Sequence, residues 1–425
     1  MNLVHLFTYL DEKSFYVFTK KWLHMPLDFE FTEEQKLLQN AVREFALKEL
    51  TPERAREYEE RGEFPWDLYR KACQLGFMGL HFPEEYGGQG LGIIEHFIFC
   101  YEISKVDPPL GHAIRTAHFG AELILYHGTH EQKATWLPRL AKGEITSASM
   151  YTEPAGGSDL TRVLDTRATR VGDKEWVING TKTFITNATT FTVGSVLVQT
   201  DPNANPPYRG QTVFLVERNE NIETRLLKNK MGFRLSPLGE VTFDSYRTTD
   251  DNILGGIKNL NKGFYLALDF LNMTRARVGC HGIATAEAAL ERAIKYANER
   301  SAFGRKISGF QGLAHRIVEM ATKVELGKCL LWRTAWTIEK ARKDKAYVDE
   351  SIKLASMLKL YGARLAVEAC DLAIDVLGGY GYLGDYDVER WARYAKQLEI
   401  VEGTKEIQKN TIARYVLGKE AAKYF

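Results

Sequence analysis

The sequence predicts an α+β chain built in three parts: helices, then a small β-barrel or sandwich, then a helical bundle. Three observations carry this. Apolar residues recur at helical spacing from Thr32 to about Ala148. Short runs of strand-favouring residues, separated by polar or proline-bearing loops, fill the stretch from about Thr146 to Asn252. Long helical patterns return from about Asn261 to the end. At 425 residues the chain exceeds one ordinary core, so two or three domains are expected. Their boundaries are drawn at 25–147, 148–255 and 256–425.

Residues 1–24 read as an extension, or as the product of a start assigned too early. Asp11, Glu12, Lys20 and Lys21 interrupt their apolar residues, which argues against a signal or transit peptide. Thr32 followed three residues later by Gln35 is an N-cap signal for the first helix. Further helices are expected at 66–75, 93–104 and 113–127, with a glycine-rich turn at 82–92. In the β-part, Trp176-Val177-Ile178, Asn179-Gly180 and residues 181–186 spell a hairpin, because Asn-Gly favours the type I′ turn. Strands are expected at 195–199, 212–216 and 239–243. In the last part Ile352, Leu354, Leu358, Tyr361, Leu365, Ala369, Leu372 and Val376 share one face of a long helix.

Charge narrows the function. Lys plus Arg (56) nearly cancels Asp plus Glu (55), and no basic stripe marks a nucleic-acid binder. No apolar run is long enough to span a bilayer. The five cysteines are scattered and form no CxxC pair, which fits reduced thiols in a cytoplasmic protein and no zinc site. His127 and His130 lie close but have no further ligands at metal spacing, so they read as surface loop residues and no metal is expected.

Two motifs suggest a flat heterocycle with a phosphate tail. Tyr151-Thr152-Glu153-Pro154-Ala155-Gly156-Gly157-Ser158-Asp159 and Phe184-Ile185-Thr186-Asn187 offer hydroxyls, glycine N–H groups and an aromatic ring. Gly379-Tyr380-Gly381-Tyr382-Leu383-Gly384 matches GxGxxG, yet a long helix precedes it and no parallel-sheet pattern surrounds it. A Rossmann site is rejected in favour of a helix C-cap and turn.

From about residue 28 onward the chain resembles the acyl-CoA dehydrogenase family. The likeness rests on the ordered set 82–92, 151–159, 179–187, 231–236, Thr274-Arg275, 300–311, 376–381 and 401–404. The resemblance implies a middle β-barrel, a C-terminal four-helix bundle, FAD as cofactor and a homotetramer, or at least a dimer. It places Tyr151, Thr152, Phe184, Ile185 and Thr186 at the flavin ring, Gly157 and Ser158 at the pyrophosphate, and Thr404 and Glu406 beside the cofactor. It places Arg300, Phe303, Phe310, Gln311, Asp375, Val376, Gly378 and Gly379 against the adenosine half of a neighbouring subunit's FAD. Asp375 and Glu406 stand where Gln is common, and Ala302 where a larger polar residue often sits. Lys405 or Arg305 is expected to offset the added acid.

Glu402 of Glu402-Gly403-Thr404 matches the family's base, which removes the α-proton of an acyl-CoA thioester while hydride leaves the β-carbon for the flavin. A glutamate near a helix end is ordinarily just exposed. Ser158, Asn272, Arg275 and Gly403 fall where relatives hold substrate; Arg275 serves equally as a surface salt-bridge partner. The resemblance implies an acyl-CoA dehydrogenase of fatty-acid β-oxidation type that passes electrons to an electron-transferring flavoprotein. Alternatives on the same fold are a flavin oxidase or monooxygenase, or a flavin-containing binding protein. Gly111 stands where dicarboxylyl-using relatives carry Arg, which counts against such a substrate, and Arg115 reads as a solvated helix residue.

Overall fold

A computed structural model of the chain describes residues 30–420; the reading of 1–24 lies outside them. Of the described residues, 30–37 belong to one unit and 38–420 to a second. In the first unit the expected cap is present: Thr32 N–H donates to Gln35 Oε1 (3.0 Å), and Gln35 N–H to Thr32 Oγ1 (3.2 Å). Helix α1 (Glu33–Glu49) starts there.

Six helices follow: α2 (Pro52–Arg61), α3 (Trp66–Gln74), α4 (Ile93–Val106), α5 (Pro108–Thr116), α6 (Ala121–His127) and α7 (His130–Ala141). Helix α4 is buried from Ile93 to Ser104 on nearly every side, as expected of a helix apolar all round. The single helix expected at 113–127 is two. Gly120 takes φ 98°, a value that ends helical continuation, and a Cβ there would stand 3.1 Å from the Ala148 carbonyl oxygen. Asp107 caps α5 through the Leu110 N–H (3.0 Å) and accepts both Arg390 Nη1 (3.0 Å) and Nη2 (2.6 Å), tying these helices to the C-terminal bundle.

The middle part is one seven-stranded sheet: β1 (Ser147–Met150), β2 (Arg167–Arg170), β3 (Glu175–Thr186), β4 (Val193–Gln199), β5 (Gln211–Glu217), β6 (Ile222–Leu226) and β7 (Leu238–Thr249). Its order is β1-β4-β2-β3-β7-β6, with β5 on β4. The barrel expectation takes this form, a sheet wrapped round its own core of Val196, Val198, Phe214, Val216, Trp176 and Phe243. Alternate residues of β4 and β5 (Val193, Leu197, Val213 and Leu215) pack instead with Leu123, Ile124 and Phe270 of the helices. Burial on both faces explains the unbroken apolar run in these strands.

The Asn179-Gly180 hairpin is absent. β3 runs straight through it, paired on one side with β2 and on the other with β7, and the register shifts between Ile178 and Gly180. Gly180 takes φ 136°, and a Cβ there would lie 2.5 Å from the Thr166 Cα. The dipeptide serves a bulge.

The last part holds α8 (Gly263–Glu299), α9 (Gln311–Ala341), α10 (Val348–Leu377), α11 (Val388–Leu398) and α12 (Lys405–Val416). On the expected face of α10, Leu354, Leu358, Leu365, Ala369, Leu372 and Val376 are buried. Helices α8 and α10 touch backbone to backbone: a Cβ on Gly282 would stand 2.4 Å from the Gly362 carbonyl oxygen. The glycine-rich segment after α10 is two short 3₁₀ turns, with Gly378 at φ 61° as the helix cap.

Candidate active site

Glu402 occupies the turn between α11 and α12, and the turn is fastened from three sides. Lys359 of α10, fully buried, donates to the carbonyl oxygens of Glu399 (3.1 Å) and Gly403 (2.7 Å). Gln408 Nε2 donates to the carbonyls of Glu402 (3.1 Å) and Gly403 (2.9 Å), and Arg275 Nε reaches the Glu402 carbonyl at 3.4 Å. Thr404 Oγ1 caps α12 by accepting the Ile407 N–H (3.4 Å). These anchors hold Glu402 at φ 55°, a left-handed conformation costly for a residue with a Cβ, and such strain recurs at functional sites.

The result is a carboxylate turned back onto α8, where Thr274 Oγ1 donates to Glu402 Oε2 at 2.5 Å. Burial pushes the carboxyl above its ordinary range, against the pull of Thr274, Arg277, Arg275 and Lys359. Burial likewise pushes the Lys359 ammonium down to about 8, opposed chiefly by Glu402.

Glu402, Thr274 and Val401 form one wall of a cavity of about 50 Å³. Thr186, Phe119, Phe233, Arg115, Arg277 and His281 line it as well. Arg115 is therefore not solvated: it is 2% exposed. Helix α5 lies against α4 and turns this residue inward, where it and Arg277 both pair with Glu122 of α6. Burial would raise the Glu122 carboxyl, but Arg277 and Arg115 hold it far below the usual range.

The two heterocycle motifs come together beside this cavity. The Thr183 N–H donates to the Thr152 carbonyl (2.9 Å), and Lys182 Nζ to the Tyr151 carbonyl (3.2 Å), so the loop after β1 lies along β3. Glu153 locks the loop by accepting Lys182 Nζ (2.9 Å), the N–H groups of Asp165 and Thr166 (2.9 Å each), and Arg162. Burial opposes the Glu153 charge, yet Lys182 and these donors hold its pKa at about 2.

Residues present fit a flat, partly apolar ring. Phe184, at φ 55°, leaves its ring 64% exposed at the end of β3; Thr186 lines the Glu402 cavity; and the Tyr151 hydroxyl is buried with no hydrogen-bond partner among the described residues. Gly157 and Ser158 are exposed in the loop, and Ile185 turns its side chain into the sheet core, leaving only its backbone to a ligand.

The remaining expected residues lie elsewhere. Arg300, Val376, Gly378 and Gly379 border an open groove that shares no lining residue with the Glu402 cavity. Phe303 stands 96% exposed near Phe310 (6.2 Å between rings), and Gln311 is exposed at the start of α9. Asp375 is offset by Arg316 (2.6 Å), not by the expected Arg305 or Lys405. Arg305 lies over the Phe310 ring (4.0 Å), and Lys405 pairs with Glu399 (3.3 Å). Glu406 is exposed in the first turn of α12, where the helix N-terminus lowers its pKa.

Asn272 accepts Arg275 Nη1 (3.2 Å) and lines a second cavity of about 240 Å³ between α8, α9 and α10. Arg275 is buried on an amide and a carbonyl, with no carboxylate partner among the described residues, so it is no surface salt bridge. His127 sits on α6 and pairs with Asp269 (2.9 Å); it is not a loop residue. Among the described residues no group of three His, Cys, Asp or Glu could hold a metal, and no helix is long and apolar enough to cross a membrane.

Sequence reasoning missed Lys359, Gln408, Arg277, His281 and Glu122. Lys359 had a signal: a cation whose neighbours three and four residues away, Ala355, Ser356, Gly362 and Ala363, are small and uncharged, as on a buried helix face.

Three domain profiles match the chain: acyl-CoA dehydrogenase N-terminal domain over residues 32–144, middle domain over 148–246 and C-terminal domain over 261–417. An acyl-CoA dehydrogenase of Bacillus subtilis (strain 168) is 35% identical over 390 residues, which cover 91% of this chain and 99% of that protein. The butyryl-CoA dehydrogenase of Megasphaera elsdenii superposes with a TM-score of 0.85 at 27% identity, covering 92% of this chain and 100% of the other. A glutaryl-CoA dehydrogenase of Mycobacterium smegmatis, solved with FADH2, superposes with a TM-score of 0.81 at 26% identity over 91% of this chain and 95% of the other. With three domains matched in order around the Glu402 cavity, the chain belongs to the acyl-CoA dehydrogenase family of oxidoreductases.

Proposed function

We propose that the chain is an FAD-dependent acyl-CoA dehydrogenase that converts an acyl-CoA to the trans-2-enoyl-CoA, with Glu402 as its base. The observation that carries this reading is one cavity lined by both Glu402 and Thr186, a base and a residue of the ring cradle. Thr274 occupies Glu402 Oε2, so Oε1 takes the α-proton. The raised carboxyl pKa makes Glu402 a stronger base than a solvated glutamate. The backbone N–H of Glu402 donates to the thioester oxygen, which stabilises enolate character as the proton leaves. The chemistry FAD supplies when bound is acceptance of the β-hydride's electron pair at N5.

On this reading Tyr151, Thr152, Phe184, Ile185 and Thr186 hold the ring, Gly157 and Ser158 the pyrophosphate, and Thr404 and Glu406 flank the cofactor. Arg300, Phe303, Phe310, Gln311, Asp375, Val376, Gly378 and Gly379 serve the FAD of a neighbouring subunit in a homotetramer. The exposure of Arg300, Phe303, Gln311, Asp375, Gly378 and Gly379 on one chain supports that assignment. Ser158, Asn272, Arg275 and Gly403 bind the acyl-CoA. An electron-transferring flavoprotein takes the electrons, and unpaired cysteines support a cytoplasmic location.

The test is anaerobic addition of an acyl-CoA panel to the FAD-loaded protein. Loss of the flavin absorbance with formation of enoyl-CoA is expected. Substrate-reduced protein that reoxidises rapidly in oxygen without an acceptor protein supports the oxidase reading instead.

A further inference from the structure

The lining of the Glu402 cavity is charged where a fatty chain needs apolar surroundings. Arg115 and Arg277 both line it, both are buried, and together they face one carboxylate, Glu122. The neighbouring histidines do not add charge. Burial holds His81 at about 3 and His96 well below its ordinary value, and His96 Nε2 accepts Arg115 Nε at 3.3 Å. Burial also raises the Cys100 thiol, keeping it neutral. Guanidinium groups do not lose their protons in proteins. Two cations against one anion leave this wall positive. Glu402, which lines the same cavity, compensates only until it takes a proton.

The wall also holds donors without acceptors. Arg115 Nη1 and His281 Nε2 are buried and have no hydrogen-bond partner among the described residues. His281 Nδ1 lies 2.7 Å from Ser104 Oγ. With the hydroxyl donating there, the ring proton sits on Nε2. Buried donors in a native protein are almost always matched, and water satisfies an N–H without neutralising the charge.

Gly111 does not argue the other way. A Cβ there would stand 2.5 Å from the Ile103 carbonyl oxygen, so no side chain fits at that position. The cation that reaches the cavity is one helical turn further along, at Arg115.

Resting on the dehydrogenase reading above, we infer that the acyl group ends in a carboxylate a few bonds beyond the β-carbon, with Arg115 as the residue that selects it. The substrate class is a short ω-carboxyacyl-CoA. Arg115 and Glu402 line the same cavity, so a carboxylate that reaches Arg115 while the α-carbon meets Glu402 ends a short chain.

The test compares isosteric pairs on the FAD-loaded protein: glutaryl-CoA with hexanoyl-CoA and adipyl-CoA with heptanoyl-CoA, followed by anaerobic flavin bleaching and by calorimetric binding. The carboxylated member is expected to be favoured in kcat/KM by about tenfold or more. In Arg115→Gln that ratio falls toward one, and Arg115→Lys restores part of it. Equal or better use of the methyl-ended member by the unaltered protein overturns the inference, and that comparison needs no variant to fold. Bleaching by none of the four thioesters overturns the dehydrogenase reading instead. Calorimetry then judges the anion site alone: tighter binding of the carboxylated member supports it, and equal or weaker binding overturns it.

Discussion

Replacing Thr274 with Val keeps a β-branched side chain on α8 and deletes the hydroxyl that donates to Glu402 Oε2 at 2.5 Å. That hydrogen bond favours the carboxylate and opposes the larger effect of burial, which favours the acid. A hydrogen bond to a charged group contributes about 1.5–3 kcal/mol. The Thr274 hydroxyl also lies 3.1 Å from the Leu271 carbonyl, so its one proton is shared and the lower figure applies. About 1.5 kcal/mol corresponds to about tenfold in a protonation equilibrium. The sign follows: without the donor, Glu402 holds its proton more tightly, and the acid limb of kcat/KM moves to higher pH by about one decade of proton concentration. The assay is the rate of flavin reduction by acyl-CoA across that limb, in the unaltered protein and in Thr274→Val. An unmoved limb, or one displaced to lower pH, refutes the reasoning, because either result separates the observed base from this contact.

Other outcomes follow from the same contacts. Lys359→Met leaves the Glu399 carbonyl without its donor, at about 1–3 kcal/mol for a buried group left unpaired, and the Gly403 carbonyl with Gln408 alone; a lowered melting temperature and slower flavin reduction are expected, and wild-type values for both count against the anchoring role. Gly362→Ala drives a Cβ to 2.5 Å from the Gly279 carbonyl oxygen, and overpacking of this kind costs about 1–3 kcal/mol. Thermal denaturation measures it, and no loss of stability means that α8 and α10 separate cheaply. Glu153 is held at about 2 from an ordinary 4.5, so its contribution is whole above 4.5 and fades as pH falls toward about 2. Melting temperatures of the unaltered protein and Glu153→Gln therefore converge below pH 4.5, and a gap that widens on acidification contradicts this.

Features set by local chemistry were legible in the sequence. Thr32 and Gln35 cap each other three residues apart, and the apolar face of α10 follows from helical spacing alone. The motif at 151–159 also came out beside 184–187, as their shared chemistry suggested. What failed was decided by distant partners. Asn179-Gly180 is a sound turn signal, but pairing of β3 with both β2 and β7 outweighs it and makes a bulge. Arg115 has the composition of a surface residue, and only the Glu122 carboxylate, on another helix, makes its burial tolerable. Glu402 was found through its motif. The strained turn that aims it depends on Lys359 and Gln408, whose roles no local pattern announces.

The central claim is that Glu402 takes the α-proton. Its most direct test supplies acyl-CoA deuterated at the α-carbon to FAD-loaded protein and to Glu402→Gln, with enoyl-CoA formation and loss of the label to solvent followed together. The account predicts both events in the unaltered protein and neither in Glu402→Gln, which still binds the thioester. Label loss and enoyl-CoA formation by Glu402→Gln at the unaltered rate would contradict it.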